Sequence, residues 1–432
     1  MFSPVTHCRF KGKWILVCRF AVRGRVVGGE IGRRKGYFAS VARGMQPNRV
    51  RQSNQRAILA VLSGDPEGVS NADIARRTGL APQTVSAVLD DLEKAGLLLR
   101  GQVRRGGGRG QPATPVFINP DGAFALGAEI GWTHIEVAIT DLHGRLIDRR
   151  REAYPYADAG SVFATLARLI DEVLSSFSPD HRKRIIGLGL AAPRGIGDPT
   201  ALLKPPLGQA EAWAGVDLVG EAQRATGYDV ELVNDGNAAC WAEFVAHSSP
   251  RPGNFAFLLI DTFVAAGIIA EDHLWEGVTG ASANLGSMLV SDQQGNRRFV
   301  HEIASLFALD RRLAAAGVAT DDALGEAPSA AARAAVDSWI ADAALALAQC
   351  LVNAATVLEF DFAAIEGDLP PAVLARLVDA VAREILDVPS LGRTRPAVRP
   401  GHLGRSGAAQ GAAQLRMYRR HYSRELAHME DE

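Results

Sequence analysis

From residue 121 onwards, the chain repeats one order of secondary structure, and this repeat constrains the fold more than any other feature. The segment "ALGAEIGWTHIEVAITDLHGRLIDRR" predicts three strands joined by short turns, and the helix "SVFATLARLIDEVLSSF" follows it. Past residue 250, the strand "FAFLLIDT" and the hairpin "GIIAEDHLWEG" begin the same order, which ends in the helix "AAVDSWIADAALALAQCLVNAATVL". This pattern predicts an α/β body of two similar lobes, residues 121–245 and 246–432, with a cleft between them.

One strand-to-helix junction in this body carries polar side chains. In "VELVNDGNAACWAEF", Val230, Leu232 and Val233 indicate a buried strand, and the small residues after Gly236 indicate the packed face of a helix. Asn234 and Asp235 then project from the carboxyl end of the strand, where open α/β sheets place their ligands. These two residues are therefore candidate ligand-binding residues.

Residues 51–120 predict a winged helix-turn-helix. "RQSNQRAILAVLS" predicts an amphipathic helix, and "SNADIARRTG" predicts a short one with Ser70 as N-cap, Asp73 completing a capping box and Gly79 at its end. "APQTVSAVLDDLEKAG" predicts a third helix, with Pro82 at its first position and Ala81 as a weak N-cap. "LLLRGQVRRGGGRGQPATPVFINP" predicts two short strands around a basic loop.

This segment predicts an all-α/winged DNA-binding domain, because the second helix of such a motif enters the major groove. Gln83, Thr84 and Ser86 are its candidate base- or phosphate-contacting residues. Candidate phosphate contacts in the wing are Arg104, Arg105 and Arg109. A trihelical fold that binds another protein is the alternative interpretation, and DNA binding is preferred because motif, wing and arginines occur together.

The composition indicates a soluble globular protein of the reducing cytoplasm. The 432 residues are 47% hydrophobic with a net charge of −1, and we find no apolar run of the ~20 residues that a membrane helix needs. The four cysteines are far apart and form no CxxC pair, which predicts neither a disulfide framework nor a thiolate metal site.

Residues 1–50 are predicted to be a basic tail without regular structure. Between Arg9 and Arg49, Glu30 is the only acid. Three interpretations stay open: translation that begins at Met45, a disordered basic arm, and an Arg-rich targeting peptide. "WILVCRFAV" is not taken as a secretion signal, because Arg19 interrupts it and no small-residue cleavage site follows.

Several motifs in this order resemble the ROK family (repressors, open reading frames and kinases). They are the winged helix followed by "GAEIGWTHIEVAITDLHG", "IGLGLAAP", "VNDGNAA", "GASANLGSM" and the closing "GAAQGAAQLRMYRRHY". The resemblance covers residues 51–425 and implies the actin-like, hexokinase-type two-lobed ATPase fold. In family kinases, the residue at the position of Asp235 is the catalytic base, and the one at Asn234 helps to hold the sugar.

The turns that hold ATP in kinases of this family are altered in this chain. The second phosphate turn, rich in glycine in the kinases, reads "DTFVAAG" here, so that Asp261 adds a negative charge and Phe263 adds bulk. The first turn, "AEIGWTH", has Glu129 where family kinases usually have Asp and Trp132 where they usually have Gly. In "AAIEGDLPP", only Gly367 remains of the pair of glycines that usually contacts the adenosine. We therefore predict that kinase activity is lost and that the protein uses no cofactor.

The resemblance also locates a zinc site and further sugar contacts. Ser287 replaces the family's zinc-binding histidine and no cysteine lies between Cys240 and Cys350, so we predict no metal and interpret His301 as an ordinary histidine. The remaining candidate ligand-binding residues are Asn284, Ser287 and Glu302, and Trp213 is interpreted as a core residue that also has the chemistry to stack on a sugar.

Together these features predict a DNA-binding transcriptional regulator of carbohydrate metabolism. Of the two directions of regulation, repression is preferred to activation. Its predicted partners are operator DNA, a sugar or polyol effector and further copies of itself, as a homodimer or homotetramer, with no membrane. Two alternatives stay open: a bifunctional sugar kinase that also binds DNA, and a ligand-independent DNA-binding scaffold.

Overall fold

The computed structural model describes most of the chain. The described ranges are 7–10, 13–16, 47–102, 114–196, 205–248, 250–280, 283–392, 395–404, 407–425 and 428–429. Contacts divide the chain into two units, Met1–Gln46 and Pro47–Glu432.

The elements are labelled in chain order. The helices are α1 Pro47–Ser63, α2 Asn71–Thr78, α3 Pro82–Lys94, α4 Val162–Val173, α5 Pro179–Arg182, α6 Gln209–Trp213, α7 Leu218–Thr226, α8 Asp235–Ala246, α9 Val300–Ala304, α10 Leu306–Ala315, α11 Thr320–Leu324, α12 Ala330–Val357, α13 Pro371–Asp387 and α14 Gly407–His421. The strands are β1 His7–Phe10, β2 Lys13–Leu16, β3 Leu98–Arg100, β4 Val116–Ile118, β5 Phe124–Ile130, β6 His134–Thr140, β7 Leu146–Ala153, β8 Ile185–Ala192, β9 Val230–Asn234, β10 Phe255–Ile260, β11 Val264–Ala270, β12 His273–Leu274, β13 Leu289–Ser291, β14 Arg297–Phe299, β15 Phe362–Gly367 and β16 Ala397–Pro400.

The amino-terminal unit contains a short hairpin, which the sequence analysis did not predict. Strands β1 and β2 pair antiparallel, with His7 opposite Leu16 and Phe10 opposite Lys13. The prediction of a tail without regular structure over residues 1–50 is wrong at these eight residues and at α1, which begins at Pro47. Aromatic and β-branched residues favour strands, and their presence in "KWIL" is a local reason for the hairpin.

The predicted winged helix-turn-helix is present in α1 to α3 with the wing strands β3 and β4. The Ser70 side chain accepts a hydrogen bond from the backbone N–H of Asp73, and Gly79 ends α2 with φ 72°, as the capping pattern predicts. Ala81 makes no side-chain cap at the start of α3. Strands β3 and β4 pair antiparallel, and Val85, Val88, Leu89 and Leu92 are buried among the helices.

The repeated order of elements gives two five-stranded sheets with the same topology. The first sheet has the order β7-β6-β5-β8-β9, and the second has the order β12-β11-β10-β15-β16. In each sheet the first three strands pair antiparallel and the last two join in parallel. The prediction of two similar α/β lobes is confirmed, and ligands of such sheets bind at the carboxyl ends of the parallel strands.

Helix α14 packs against the first sheet and α8, although its place in the sequence assigns it to the second lobe. A Cβ on Gly127 of β5 would overlap the carbonyl oxygen of Ala409, and one on Gly189 of β8 would overlap that of Ala412. On the other side of α14, a Cβ on Gly411 would overlap the carbonyl oxygen of Ala238 in α8. These contacts bring the helix backbone directly onto its neighbours.

Helix α12 forms the centre of the second lobe. It is long and apolar enough to cross a membrane by length and composition, but 61% of its most apolar window is buried inside the molecule. Trp339 and Leu347 are fully buried among α9, α10 and α13. This burial is the pattern of a core helix.

Candidate functional site

Asn234 and Asp235 lie at the junction of β9 and α8, as the sequence analysis predicts. Asn234 is the N-cap of α8, where its side-chain oxygen accepts from the Asn237 N–H at 3.3 Å. Asp235 Oδ1 accepts from Asn234 Nδ2 and from the Gly236 N–H, each at 2.8 Å. Burial, with the negative charge of Glu129, raises the pKa of Asp235 to about 7. A carboxyl group can donate a hydrogen bond when protonated and accept hydrogen bonds in either form.

A cavity of about 260 Å³ opens at the carboxyl ends of β8 and β9, and Asn234 lines it. Arg194 from the first lobe and Glu276 from the second also line the cavity, and neither was identified from the sequence. Arg419 of α14 holds Glu276 at 2.6 Å, so the cavity wall is fixed by a charge pair. Polar groups around a partly apolar wall suit a ligand with several hydroxyl groups.

The sequence prediction is wrong for one apolar residue of this cavity, Leu232, and agrees with the structure for another, Trp213. Leu232, predicted to be buried, is 44% exposed and lines the cavity, because strand β9 is the edge of the first sheet. Trp213 is 6% exposed, its indole N–H donates to the Ala157 carbonyl at 2.8 Å, and it also lines the cavity. This is the core role that the sequence analysis favours for Trp213.

The residues that line this cavity do not include the other predicted ligand-binding residues, which are Asp235, Asn284, Ser287 and Glu302. Asn284 and Ser287 are exposed around a 3-10 turn, where Ser287 Oγ lies 3.4 Å from His301 Nε2. Glu302 lines a separate surface cavity, and its carboxylate accepts from the Phe299 N–H at 2.9 Å at the start of α9. The structure thus unites Asn234 and Asp235 at one junction but does not bring Glu302 to them.

The two turns that hold phosphates in related kinases touch each other across the cleft. Trp132, on the β5–β6 turn, makes an edge-to-face contact with Phe263, on the β10–β11 turn, with 5.1 Å between ring centroids. Next to this pair, the hydroxyl oxygens of Thr133 and Thr262 are 3.5 Å apart. The bulky residues found in the sequence therefore fill the space between the turns with side chains.

Backbone N–H groups of the second turn already have acceptors within the protein. The Thr262 N–H donates to Asp261 Oδ1 at 2.7 Å, and the Val264 N–H donates to His301 Nδ1 at 3.1 Å. Burial lowers the pKa of His301 to about 4, so that its ring stays neutral and able to accept. A phosphate held by this turn would have to replace these bonds.

The predicted base-reading residues lie at the amino end of α3. Gln83 and Ser86 are exposed and Thr84 is half-buried. Gln83 and Thr84 line a surface groove of about 620 Å³ together with Arg51 and Asn54 of α1, whereas Ser86 does not line it. Arg104, Arg105 and Arg109 lie outside the described residues.

Family comparisons cover most of the chain. The model described as "ROK family" matches residues 125–418, and a winged helix-turn-helix DNA-binding model matches residues 51–98. The chain is 28% identical over 245 residues to the xylose repressor of Bacillus subtilis (strain 168), in an alignment that covers 56% of this chain and 61% of that repressor. The chain thus spans less than two thirds of this curated relative.

Solved structures share the fold. A ROK family transcriptional regulator, a homologue of the E. coli Mlc protein, aligns with a TM-score of 0.64 and 21% identity, covering 86% of this chain and 97% of that one. A Streptomyces griseus ROK family glucokinase, in complex with glucose and AMPPNP, aligns with a TM-score of 0.53 and 22% identity, covering 68% and 99%. The predicted actin-like, hexokinase-type fold with an amino-terminal winged helix-turn-helix is confirmed.

Proposed function

The chain belongs to the ROK family, and on that premise we propose that it is a DNA-binding transcriptional repressor of carbohydrate metabolism. Its kinase-like body senses a sugar or polyol and no longer transfers phosphate from ATP. The observation that carries this proposal is the contrast within one cleft: Trp132 and Phe263 close the phosphate turns together, while Asn234 still faces a cavity.

The effector binds, on this proposal, at the carboxyl ends of β8 and β9. Asn234 and Asp235 offer donors and acceptors to adjacent hydroxyl groups. In the cavity wall, Arg194 contributes a positive side chain and Glu276 an acidic one. Because Arg194 and Glu276 come from different lobes, a ligand that contacts both favours the closed arrangement of the lobes. Asn284, Ser287 and Glu302 remain candidates for a second contact after closure.

The loss of phosphotransfer follows from the chemistry that the reaction needs. Transfer depends on positioning the triphosphate and neutralising its charge. Here the aromatic pair lies between the turns, and Asp261 and Glu129 place carboxyl groups beside it, which supply no positive charge to neutralise a triphosphate. Asp235 alone, although its pKa of about 7 suits a general base, cannot replace these functions.

The route from effector to DNA passes through α8 and α14. Asp235 begins α8, α8 packs against α14 at Gly411, and Met417 of α14 belongs to the buried core of the helix-turn-helix. A ligand-dependent shift of α8 would therefore move the DNA-binding domain through direct packing contacts. The shift has a regulatory effect only if the ligand binds one arrangement more tightly than the other.

DNA recognition is assigned to α3 and the wing. Gln83, Thr84 and Ser86 contact base edges or phosphates, and the first turn of α3 lacks a side-chain cap, which leaves its N–H groups for a phosphate. The wing residues Arg104, Arg105 and Arg109 contact the backbone. Two copies in a homodimer, or four in a homotetramer, present paired helices to a pseudo-palindromic operator in the cytoplasm.

The bifunctional sugar kinase remains the second candidate, because Asp235 at the base position has a pKa near neutrality. A thermal-shift screen of the full chain against sugars, sugar phosphates and Mg·ATP separates the candidates. We expect a rise in melting temperature with one class of sugar and none with Mg·ATP. Sugar-dependent ATP turnover would support the kinase, and no shift with any sugar would support the ligand-independent scaffold.

A further inference from the structure

We propose that Glu129, His134 and Asp261 bind a divalent transition-metal ion that joins the two lobes at the cleft. The inference goes beyond the proposed function and does not depend on it. Glu129 is on β5 and His134 begins β6 in the first lobe, whereas Asp261 follows β10 in the second. An ion on these side chains would bind both lobes at once.

The ligand atoms are already close together. One atom from each of the three side chains lies within 4.8 Å of the other two, and His134 Nε2 is 3.3 Å from Glu129 Oε2. Ligands on a tetrahedral ion with bonds of about 2.1 Å are about 3.4 Å apart, so small side-chain movements would bring three ligands onto the ion and leave the fourth position for water. Asp261 Oδ1 accepts from the Thr262 N–H, which orients the carboxylate and leaves Oδ2 for the ion.

His134 independently indicates a ligand. Its side chain is 2% exposed, and neither ring nitrogen makes a hydrogen bond of acceptable geometry with a described residue. A buried polar group without a partner destabilises a protein by about 1–3 kcal/mol. Nε2 points towards Glu129, whose side chain is 4% exposed. An ion bound between His134 Nε2 and Glu129 Oε2 would give both atoms a stronger partner than the 3.3 Å contact between them.

The charge at this end of the cleft also favours a cation. The carboxyl groups that interact electrostatically here include Glu129, Glu136, Asp235, Asp261 and Asp368. Glu136 is buried, neither of its oxygens makes a hydrogen bond with a described residue, and Arg151 lies 3.6 Å away while also pairing with Asp368 at 2.9 Å. The excess of negative charge lowers the energy of a bound dication.

The donor set selects the class of metal. One imidazole nitrogen with two carboxylate oxygens suits Zn²⁺, Co²⁺, Mn²⁺ or Fe²⁺, whereas Mg²⁺ and Ca²⁺ prefer oxygen ligands throughout. The sequence analysis predicts no metal anywhere in the protein, because the zinc-loop residues are missing, and this proposal departs from that prediction. The site proposed here uses other residues, of which Asp261 lies more than 120 positions after Glu129 and His134.

A second cluster, Glu243, His247 and His402, provides a matched control. Its atoms also lie within 4.8 Å of one another. There, however, Glu243 already accepts from the His402 N–H at 2.9 Å, and its other oxygen lies 2.6 Å from the His402 ring. Its carboxylate is thus already engaged within the protein, and the side chain of His402 is 52% exposed.

The test is a Co²⁺ titration of the chelator-treated full chain, followed by the visible absorption of the bound ion. We expect about one Co²⁺ per chain, displaced by Zn²⁺ but not by millimolar Mg²⁺. His134→Gln and Asp261→Asn, which remove ligands from different lobes, should each weaken binding about tenfold or more. His402→Gln should bind as the wild type does.

Circular dichroism and the metal-free melting temperature check that the variants are folded. Unchanged Co²⁺ affinity in both His134→Gln and Asp261→Asn would overturn the proposal, as would loss of binding in His402→Gln alone. Failure of the wild-type chain to bind Co²⁺ or Zn²⁺ would overturn it as well. None of these results depends on sugar or DNA binding, so the proposed function is tested separately.

Discussion

At the scale of single residues, the cleft has kept one polar pair and changed its surroundings. Asp235 and Asn234 hold each other by a 2.8 Å hydrogen bond at the start of α8, a geometry that suits gripping hydroxyl groups. The neighbouring turns carry Trp132 and Phe263 in contact, where a kinase needs open glycine backbone. We therefore interpret Asp235 as a ligand-holding residue at the position of a catalytic base.

Asp235→Asn should weaken sugar binding while leaving operator affinity in the sugar-free protein nearly unchanged. The substitution keeps an acceptor for the Gly236 N–H but removes the charge, and a hydrogen bond to a charged group contributes about 1.5–3 kcal/mol. Titration of the sugar that the thermal-shift screen identifies measures sugar affinity. Fluorescence anisotropy with operator DNA measures operator affinity. Asp272→Asn, an exposed substitution, is the control. Equal loss of both affinities would contradict the interpretation.

His301 should make stability fall in mild acid. Its folded-state pKa of about 4 lies below the ordinary 6.5, so between these values the unfolded chain binds more protons. Stability is therefore fully present above about pH 6.5 and declines as the pH falls towards 4. Urea denaturation across this range should show a shallower decline for His301→Gln than for the wild type. The same decline in the variant would mean that other groups cause it; exposed His273→Gln is the control.

At the scale of elements, α14 connects the parts of the molecule. It lies on glycines of β5 and β8 on one side and on α8 on the other. Small residues on both partners allow this approach, because any Cβ at the crossing points would overlap backbone atoms. The helix that ends the sequence of the second lobe is therefore packed as part of the first.

Two glycines of α14 give a paired test of this packing. A Cβ on Gly411 would overlap the Ala238 carbonyl, whereas one on Gly407 would meet the Ala239 Cβ at an ordinary 3.4 Å. Gly411→Ala should destabilise the fold by about 1–3 kcal/mol and reduce the effect of sugar on DNA binding. Gly407→Ala should change stability by less than about 1 kcal/mol. Chemical denaturation measures both, and equal effects would argue against a tight α8–α14 contact.

At the scale of the whole molecule, the DNA-binding domain and the body share one core. Met417 and Ala413 of α14 are buried with residues of the helix-turn-helix. The buried guanidinium of Arg56 on α1 donates to the carbonyls of Ser423, at 2.7 Å, and His428, at 2.8 Å. Buried apolar packing and two charged hydrogen bonds therefore join the domain to the body.

Arg56→Met should loosen this attachment. Two carbonyls lose a charged donor, so we expect a loss of about 3 kcal/mol in the free energy of unfolding and faster proteolysis near residue 120. The control Arg224→Met removes only an exposed ion pair within α7, which should change stability by less than about 1 kcal/mol. A wild-type proteolysis pattern in Arg56→Met would mean that apolar packing alone holds the domain.

Much of the fold was predictable because its determinants are local in the sequence. Helix periodicity, the Ser70–Asp73 cap and the repeated strand order each depend on residues a few positions apart, and the structure agrees with them. Asn234 and Asp235 were predicted for the same reason, since a strand followed directly by a helix fixes where its junction lies. Leu232 was predicted incorrectly, because an apolar pattern does not reveal that a strand is at a sheet edge.

By itself, the sequence determined the kinds of elements, their order and the residue types in each turn, all of which arise from interactions between near neighbours. Only the tertiary structure decided that Trp132 meets Phe263 and that Asp261 lies beside Glu129 and His134. It also decided that α14 joins the first sheet to the helix-turn-helix. The physical reason is that these contacts join segments more than 100 residues apart, and their distances depend on how whole sheets and helices pack.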